Sequence, residues 1–367
     1  MSTKLWWPRS ICGWRYPPRE IPFIPMLTEA DLVPTLIRVA ERTLACSYRC
    51  WGFGESVAML GLVAATRATG ERRFQDFVEA AFTRWWVTRN KRLSFEDHVT
   101  PGLALLLLAR NDSRWMDVAV AVAELLRGCP EVAGIQVHRP DLERWSTHIW
   151  VDCLYTEGAF LALLGRVSGD SAWEDLACAH TLAYVEALWD SESGLFFHSY
   201  DARTCRTNGV RWGRGNGWAL LGLIDLLRFL RPHRTERRRF VEVVQCQVER
   251  LAALQDPSGH WHTVLDRSDT YLESSVAAMM AWAIPQAIRL GVIPGRFLAT
   301  AEAAFRAALH STGKDGSLNG VSEATPSAED VKSYVSRRTG VYPWGQGPWL
   351  LALADRVLPD GIWEGLP

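Results

Sequence analysis

The chain is 367 residues long, and its 40 Lys and Arg against 41 Asp and Glu leave a formal net charge of −1. That balance excludes the global basic field of a nucleic-acid-binding protein. Hydrophobic residues make up 48% of the chain, which fills the core of one large domain or two smaller ones, and no apolar run approaches the ~20 residues of a membrane span.

Residues 1–30, opening "MSTKLWWPRSICGWRYPP", read as a Pro- and Trp-rich arm that packs by its aromatics. They lack the apolar stretch of a secretory signal. Residues 31–367 read as one domain. The eight cysteines form no CxxC pair and mostly sit in apolar helical context, which points to a reduced, cytoplasmic chain.

Helical periodicity then dominates. The first helix is expected around "LVPTLIRVAERTLACSYR", residues 32–49. After it, apolar helices alternate with amphipathic ones. "SVAMLGLVAATRATG" is followed by "RRFQDFVEAAFTRWW", "PGLALLLLARND" by "SRWMDVAVAVAELLRG", and "AFLALLGRVSGD" by "AWEDLACAHTLAYVEALW". Further on, "GWALLGLIDLLRFL" is followed by "RRRFVEVVQCQVERLAAL" and "SVAAMMAWAIPQAIRLG" by "PGRFLATAEAAFRAALH"; "GPWLLALADRVL" comes last. Each apolar helix has a polar lead-in, Gly-bearing in all but the fifth: "WGFGE" at 51, "FEDHVTPG" at 95, "IWVDCLYTEG" at 149, "WGRGNG" at 212, "DTYLESS" at 269 and "YPWGQG" at 342. This is an internal repeat. Six hairpins, the last closed by the N-terminal helix, predict an all-α ring with the apolar helices inside; an open solenoid is the alternative.

In a ring, the six lead-ins meet at one end. Glu55, Asp97, His98, Asp152, Tyr155, Arg214, Asn216, Glu273 and Gln346 would line one funnel, and the inner-helix N-termini would favour an anionic ligand. Short extended segments at 194–201 and 259–266 would bring His198, His260 and His262 to its rim. Tryptophan is unusually abundant, at 18 residues. Trp212, Trp218 and Trp344, beside glycine and polar residues, are candidates for stacking on sugar rings; Trp85, Trp86, Trp115 and Trp282 read as core. Gly215 and Gly217 would let the backbone pass close to a sugar. Arg214 offers a planar fork for a carboxylate, or a salt bridge to Glu273. Asp152 and Asp97 each precede a helix, so each is also a possible N-cap. His260 and His262 lack a spaced third ligand for zinc, and no metal or cofactor is expected.

"WVDCLYTEGAFLA", "WGRGNGWALLGLIDLL", "DTYLESSVAAMMAWAIPQAIRLG" and "YPWGQGPWLLALA", in this order, resemble the motifs of glycoside hydrolase family 105, the unsaturated rhamnogalacturonyl hydrolases, related to the family 88 unsaturated glucuronyl hydrolases. The resemblance implies an (α/α)6 barrel that removes a terminal 4,5-unsaturated uronic acid from lyase-generated oligosaccharides by hydrating a vinyl ether. It implies Asp152 as general acid/base and Asp97 as a second active-site carboxylate. Arg214, Trp218 and His198 would contact substrate, as would Trp212, Trp344, His98 and Asn216. The sequence departs from the family where Phe53 or Trp51 replaces a frequent tyrosine, and at Thr156 and Gly158. A carbohydrate isomerase using His198 with His262, and a non-catalytic sugar-binding barrel, are the competing functions. Proton delivery to C4 by a carboxylic acid requires a raised pKa, which desolvation by Ile149, Trp150 and Leu154 and a neighbouring Asp97 would supply.

Overall fold

The structure, a computed structural model, describes residues 29–48, 51–90, 92–132, 134–137 and 139–366; the expected N-terminal arm lies outside them up to residue 28. Twelve helices of eight residues or more stand among the described residues, with two shorter ones. Six form the inner ring: α2 (Phe53–Thr69), α4 (Gly102–Ala109), α7 (Gly158–Ser168), α9 (Gly213–Phe229), α11 (Ser274–Arg289) and α14 (Pro343–Val357). Each packs on the next, and α14 returns to α2, so the ring is closed. The outer helices are α3 (Arg72–Thr88), α5 (Arg114–Arg127), α8 (Ser171–Leu188), α10 (Arg237–Leu254) and α12 (Leu298–His310). Each packs on the inner helix before it, and α1 (Glu29–Leu44) packs on α14 and α2. This is the six-hairpin toroid expected from the repeat. Among the described residues no helix is long and apolar enough to cross a membrane.

Burial follows the two patterns in the sequence. In α9 every residue except Arg228 is buried. In α10 the buried set is Phe240, Val243, Val244, Gln247, Val248 and Leu251, one stripe at helical spacing. The break in "RVSGDSAW" forms as expected: Gly169 ends α7 at φ 77°, a conformation that favours glycine, and Asp170 Oδ1 accepts from Ala172 N at 3.0 Å to cap α8. The first helix ends at Leu44, earlier than expected.

The expected extended segments form rim hairpins. His148–Trp150 pairs antiparallel with Ser199–Asp201, Ile149 opposite Tyr200, and Trp261–His262 pairs with Leu272–Glu273. All six lead-ins meet at this end of the ring. Gly54 abuts Trp344, Ser56 Oγ donates to Val99 O at 2.8 Å, and Arg214 pairs with Glu273.

The glycines of the 212–218 lead-in pack against protein, not toward an open site. A Cβ on Gly215 would stand 2.7 Å from Val151 Cγ1, and one on Gly217 would run into Met279 Sδ. This corrects the expectation that they approach a sugar: close contact with 151 and with α11 is what excludes a side chain. Gly215→Ala is therefore expected to lower stability by about 1–3 kcal/mol, the usual overpacking cost, with KM unchanged. Melting curves and substrate kinetics on the purified variant check this, and a raised KM at normal stability would restore the sugar-contact reading.

Candidate active site

Asp152 stands between the His148–Trp150 strand and the short helix α6 (Cys153–Thr156). His198 lies beside it because Val151 N donates to His198 O at 3.0 Å, extending the rim sheet by one rung. Asp152 is 5% exposed and makes no side-chain cap hydrogen bond to α6, so capping does not explain it. Its Oδ2 has no hydrogen-bond partner and faces His198 Nε2 at 3.6 Å. Burial pushes its carboxyl up to about 7, against the positive charge of Arg214 and a backbone hydrogen bond. Burial, then Arg214, pushes His198 down to about 3. At neutral pH the pair is thus a carboxyl poised at its titration point beside an uncharged imidazole.

His198 is packed on every side that the aromatic contacts show. Its ring lies 4.3 Å from that of Trp212 and 5.8 Å from that of Trp150, and its Nδ1 is 2.6 Å from the Tyr334 hydroxyl. Tyr334, on the short helix α13 (Val331–Val335), was not anticipated. Its segment is polar and lacks an apolar lead-in; the one local signal is Asp330, whose Oδ1 accepts from Ser333 N at 2.8 Å and caps the helix.

Several expected site residues are engaged by the protein itself. Asp97 is one. It closes a capping box, its Oδ2 accepting from Ser94 N at 2.8 Å and Ser94 Oγ at 3.3 Å, while Oδ1 accepts from Trp85 Nε1 at 3.1 Å and sits 3.5 Å from Arg89. With both oxygens engaged Asp97 holds its segment in place, and desolvation is the largest cause of the raised Asp152 carboxyl. Asn216 is another. Its side chain accepts from Phe196 N at 2.8 Å and donates to Phe196 O and Trp212 O at 3.0 Å, fastening the Leu195–Phe196 strand to α9.

Arg214 is engaged most fully. Its guanidinium is buried and donates to Glu273 Oε1 at 3.0 Å, Ser322 Oγ at 2.6 Å, Ser322 O at 3.1 Å, Glu323 O at 2.9 Å and Thr325 Oγ1 at 3.2 Å. The fork is engaged by protein acceptors, the salt bridge to Glu273 among them, and its charge reaches Asp152 through the field. Trp212 and Trp218 are buried too. Trp212 lies under the Arg214 guanidinium at 4.4 Å, and Trp218 packs on Tyr155 at 5.0 Å and on Phe53 at 6.4 Å. Neither presents an open face. Trp344 does remain half-exposed, stacked on Tyr342 at 4.8 Å and 4°.

His98 is buried, its Nδ1 against Phe95 O, and lies in the wall behind Asp152. It groups with Cys153 and Glu157, whose donor atoms all fall within 4.8 Å of one another. Among the described residues this is the one set with the donor types for a metal ion; Glu157 also faces His180 Nδ1 at 3.5 Å. The acid chemistry available at Asp152 uses no cation. Chelator treatment is expected to leave kcat/KM unchanged, as measured after dialysis against EDTA; a loss restored by zinc would place an ion in this group.

Residues 38–358 match Glycosyl Hydrolase Family 88. The chain is 27% identical over 345 residues to the unsaturated rhamnogalacturonyl hydrolase YesR of Bacillus subtilis (strain 168), covering 89% of this chain and 95% of that protein. Among solved structures, a possible GH105 member from Klebsiella pneumoniae subsp. pneumoniae MGH 78578 superposes with a TM-score of 0.84 at 23% identity, over 97% of this chain and 99% of that one. The unsaturated glucuronyl hydrolase from Bacillus sp. GL1 gives a TM-score of 0.69 at 16% identity, over 90% and 97%. Both likenesses bear out the (α/α)6 ring.

Proposed function

The chain belongs to Glycosyl Hydrolase Family 88 and is a glycoside hydrolase, and from that premise we propose that it removes a terminal 4,5-unsaturated uronic acid from lyase-generated oligosaccharides. The observation that carries the reading is the buried Asp152 carboxyl held at about 7. A carboxylic acid that keeps its proton near neutrality can hand it to a carbon base, and the resulting carboxylate can then take one from water.

In the proposed reaction the Asp152 proton moves to C4 of the unsaturated ring, and the C4=C5 π electrons form the new C4–H bond. The cation at C5 is stabilised by the ring oxygen. Water adds to C5 as the Asp152 carboxylate takes its proton, which restores the acid. The hemiketal at C5 then opens, and the leaving sugar departs with a proton. The half-exposed Tyr342–Trp344 pair at the start of α14 supplies an apolar face for a sugar of the leaving group, and residues 31–367 act as one catalytic domain. None of the six described cysteines is in a disulfide, which supports a cytoplasmic setting.

The isomerase alternative is disfavoured by the histidines. His198 is held neutral well below its ordinary range, and His262 faces Thr270 O through Nδ1, far from a free acid–base pair. The test is to add the enzyme to unsaturated oligosaccharides from a polysaccharide lyase and follow the ultraviolet absorbance of the conjugated uronate. Loss of absorbance in step with sugar release is expected. Release with the absorbance retained would identify conventional glycoside cleavage, and no release would remove the reading.

A further inference from the structure

The tautomer of His198 can be worked out by counting donors and acceptors at Tyr334. A tyrosine hydroxyl has one proton and two lone pairs, and burial holds Tyr334 up at about 12, so it keeps that proton. Two donors point at it: Asn208 Nδ2 at 3.0 Å and Ala328 N at 3.3 Å. The orientation of the Asn208 amide is fixed independently, because its Oδ1 accepts from Ser199 N at 3.2 Å and Val210 N at 3.5 Å while Nδ2 also donates to Ala328 O at 2.8 Å. The two donors fill both lone pairs. The Ser327 hydroxyl also reaches Tyr334 and is itself hydrogen-bonded to that of Ser199.

The hydroxyl proton then has three acceptors in reach: the Ser327 oxygen, already bonded to Ser199, Ala328 O at 3.3 Å, already bonded to Asn208, and His198 Nδ1 at 2.6 Å. The short contact to the acceptor not otherwise bonded takes it. A protonated Nδ1 would meet an oxygen with no lone pair left.

We propose that Tyr334 is a positioning residue that donates its hydroxyl proton to His198 Nδ1, fixing the ring as the Nε2–H tautomer, so that this N–H faces Asp152 Oδ2 and the transferable proton of Asp152 sits on Oδ1. Neither His198 Nε2 nor Asp152 Oδ2 has another hydrogen-bond partner, and both are buried. At 3.6 Å the contact is longer than a hydrogen bond. It closes by a fraction of an ångström once Asp152 has released its proton and the oxygen carries charge, which is when a donor there stabilises most. His198 is thereby a donor throughout the reaction and never the base. The inference rests on the reading of Asp152 as the acid for its catalytic consequence, but not for the tautomer itself.

The experiment is nitrogen NMR on the full chain with 15N-labelled histidine, the His198 signals being those that vanish in His198→Gln. The expected spectrum has a protonated Nε2 and an unprotonated Nδ1. In Tyr334→Phe, which keeps the ring and removes the donor, the Nε2–H population is expected to fall. There kcat should drop by up to about tenfold, the net worth of one hydrogen bond, with KM unchanged. A protonated Nδ1 in the parent protein would overturn the proposal, as would a Tyr334→Phe variant with unchanged tautomer and kcat. If that variant does not fold, the parent spectrum decides alone. A spectrum that shows the Nδ1–H form while the substrate absorbance still disappears would remove the role of Tyr334 and leave the hydration reading standing.

Discussion

Asp152→Asn is expected to lower kcat by about 10²–10⁴-fold, the usual worth of a general acid/base, and to melt above the parent protein at mildly alkaline pH. Both effects have one cause. Burial raises the Asp152 carboxyl from 3.8 to about 7, so the unfolded chain gives up this proton first. The folded state then pays an ionisation penalty that begins as pH rises past about 4 and is complete above about 7. An amide never ionises, so the variant escapes the penalty: the two proteins melt alike in acid and diverge by a few degrees in mild base. The same titration governs activity. The acid must be protonated to act, so the parent's kcat/KM falls as pH rises through about 7. Kinetics and calorimetry on the same preparations check the pair of effects. Activity within about threefold of the parent would remove Asp152 from its role.

The second large effect belongs to Arg214. Arg214→Ala is expected to cost about 3–5 kcal/mol of stability, because it leaves Glu273 charged, buried and without its cation. In melting temperature that is on the order of 10 °C. Arg214→Lys should lose much of the same, since one ammonium cannot serve Glu273, Ser322, Glu323 and Thr325 together. Glu273 also caps α11 through Val276 N at 3.3 Å and holds Ser322 N at 2.9 Å, so the damage extends to the segment that carries Trp344's partner, Ser322 O. Pairing Arg214→Ala with Glu273→Gln should recover part of the loss, and the double-mutant cycle measures how much. Normal melting with a tenfold to hundredfold rise in KM would instead make Arg214 the fork that holds the substrate carboxylate.

These two residues mark how far the sequence could be read. The ring was legible because the inner and outer helices differ in kind: α9 is apolar nearly all round and α10 carries one stripe, and that alternation repeats. Asp152 and His198 were legible as motif residues, but their mutual placement depends on a rim sheet joining segments 46 residues apart, from 152 to 198. Arg214 admitted two partners on paper, and the acceptors it meets in the fold, Ser322 on the two-residue strand Val321–Ser322 and Thr325 just beyond it, stand in a segment with no pattern of its own. Asp97 is different. The spacing Ser94-x-x-Asp97 is a capping-box signature, so the local rule favoured the structural role while the resemblance favoured catalysis. Tyr334 could not be found by periodicity, since a single polar-segment tyrosine acquires meaning only when the fold brings His198 to it.

Whether Asp152 delivers a proton to carbon is read by running the reaction in D2O, quenched early and analysed by mass and NMR. One deuterium bound at C4 of the released uronate is expected for each vinyl ether lost, with the ultraviolet absorbance falling in step and both signals nearly abolished in Asp152→Asn. An unlabelled uronate that leaves with its double bond and absorbance intact would contradict that delivery.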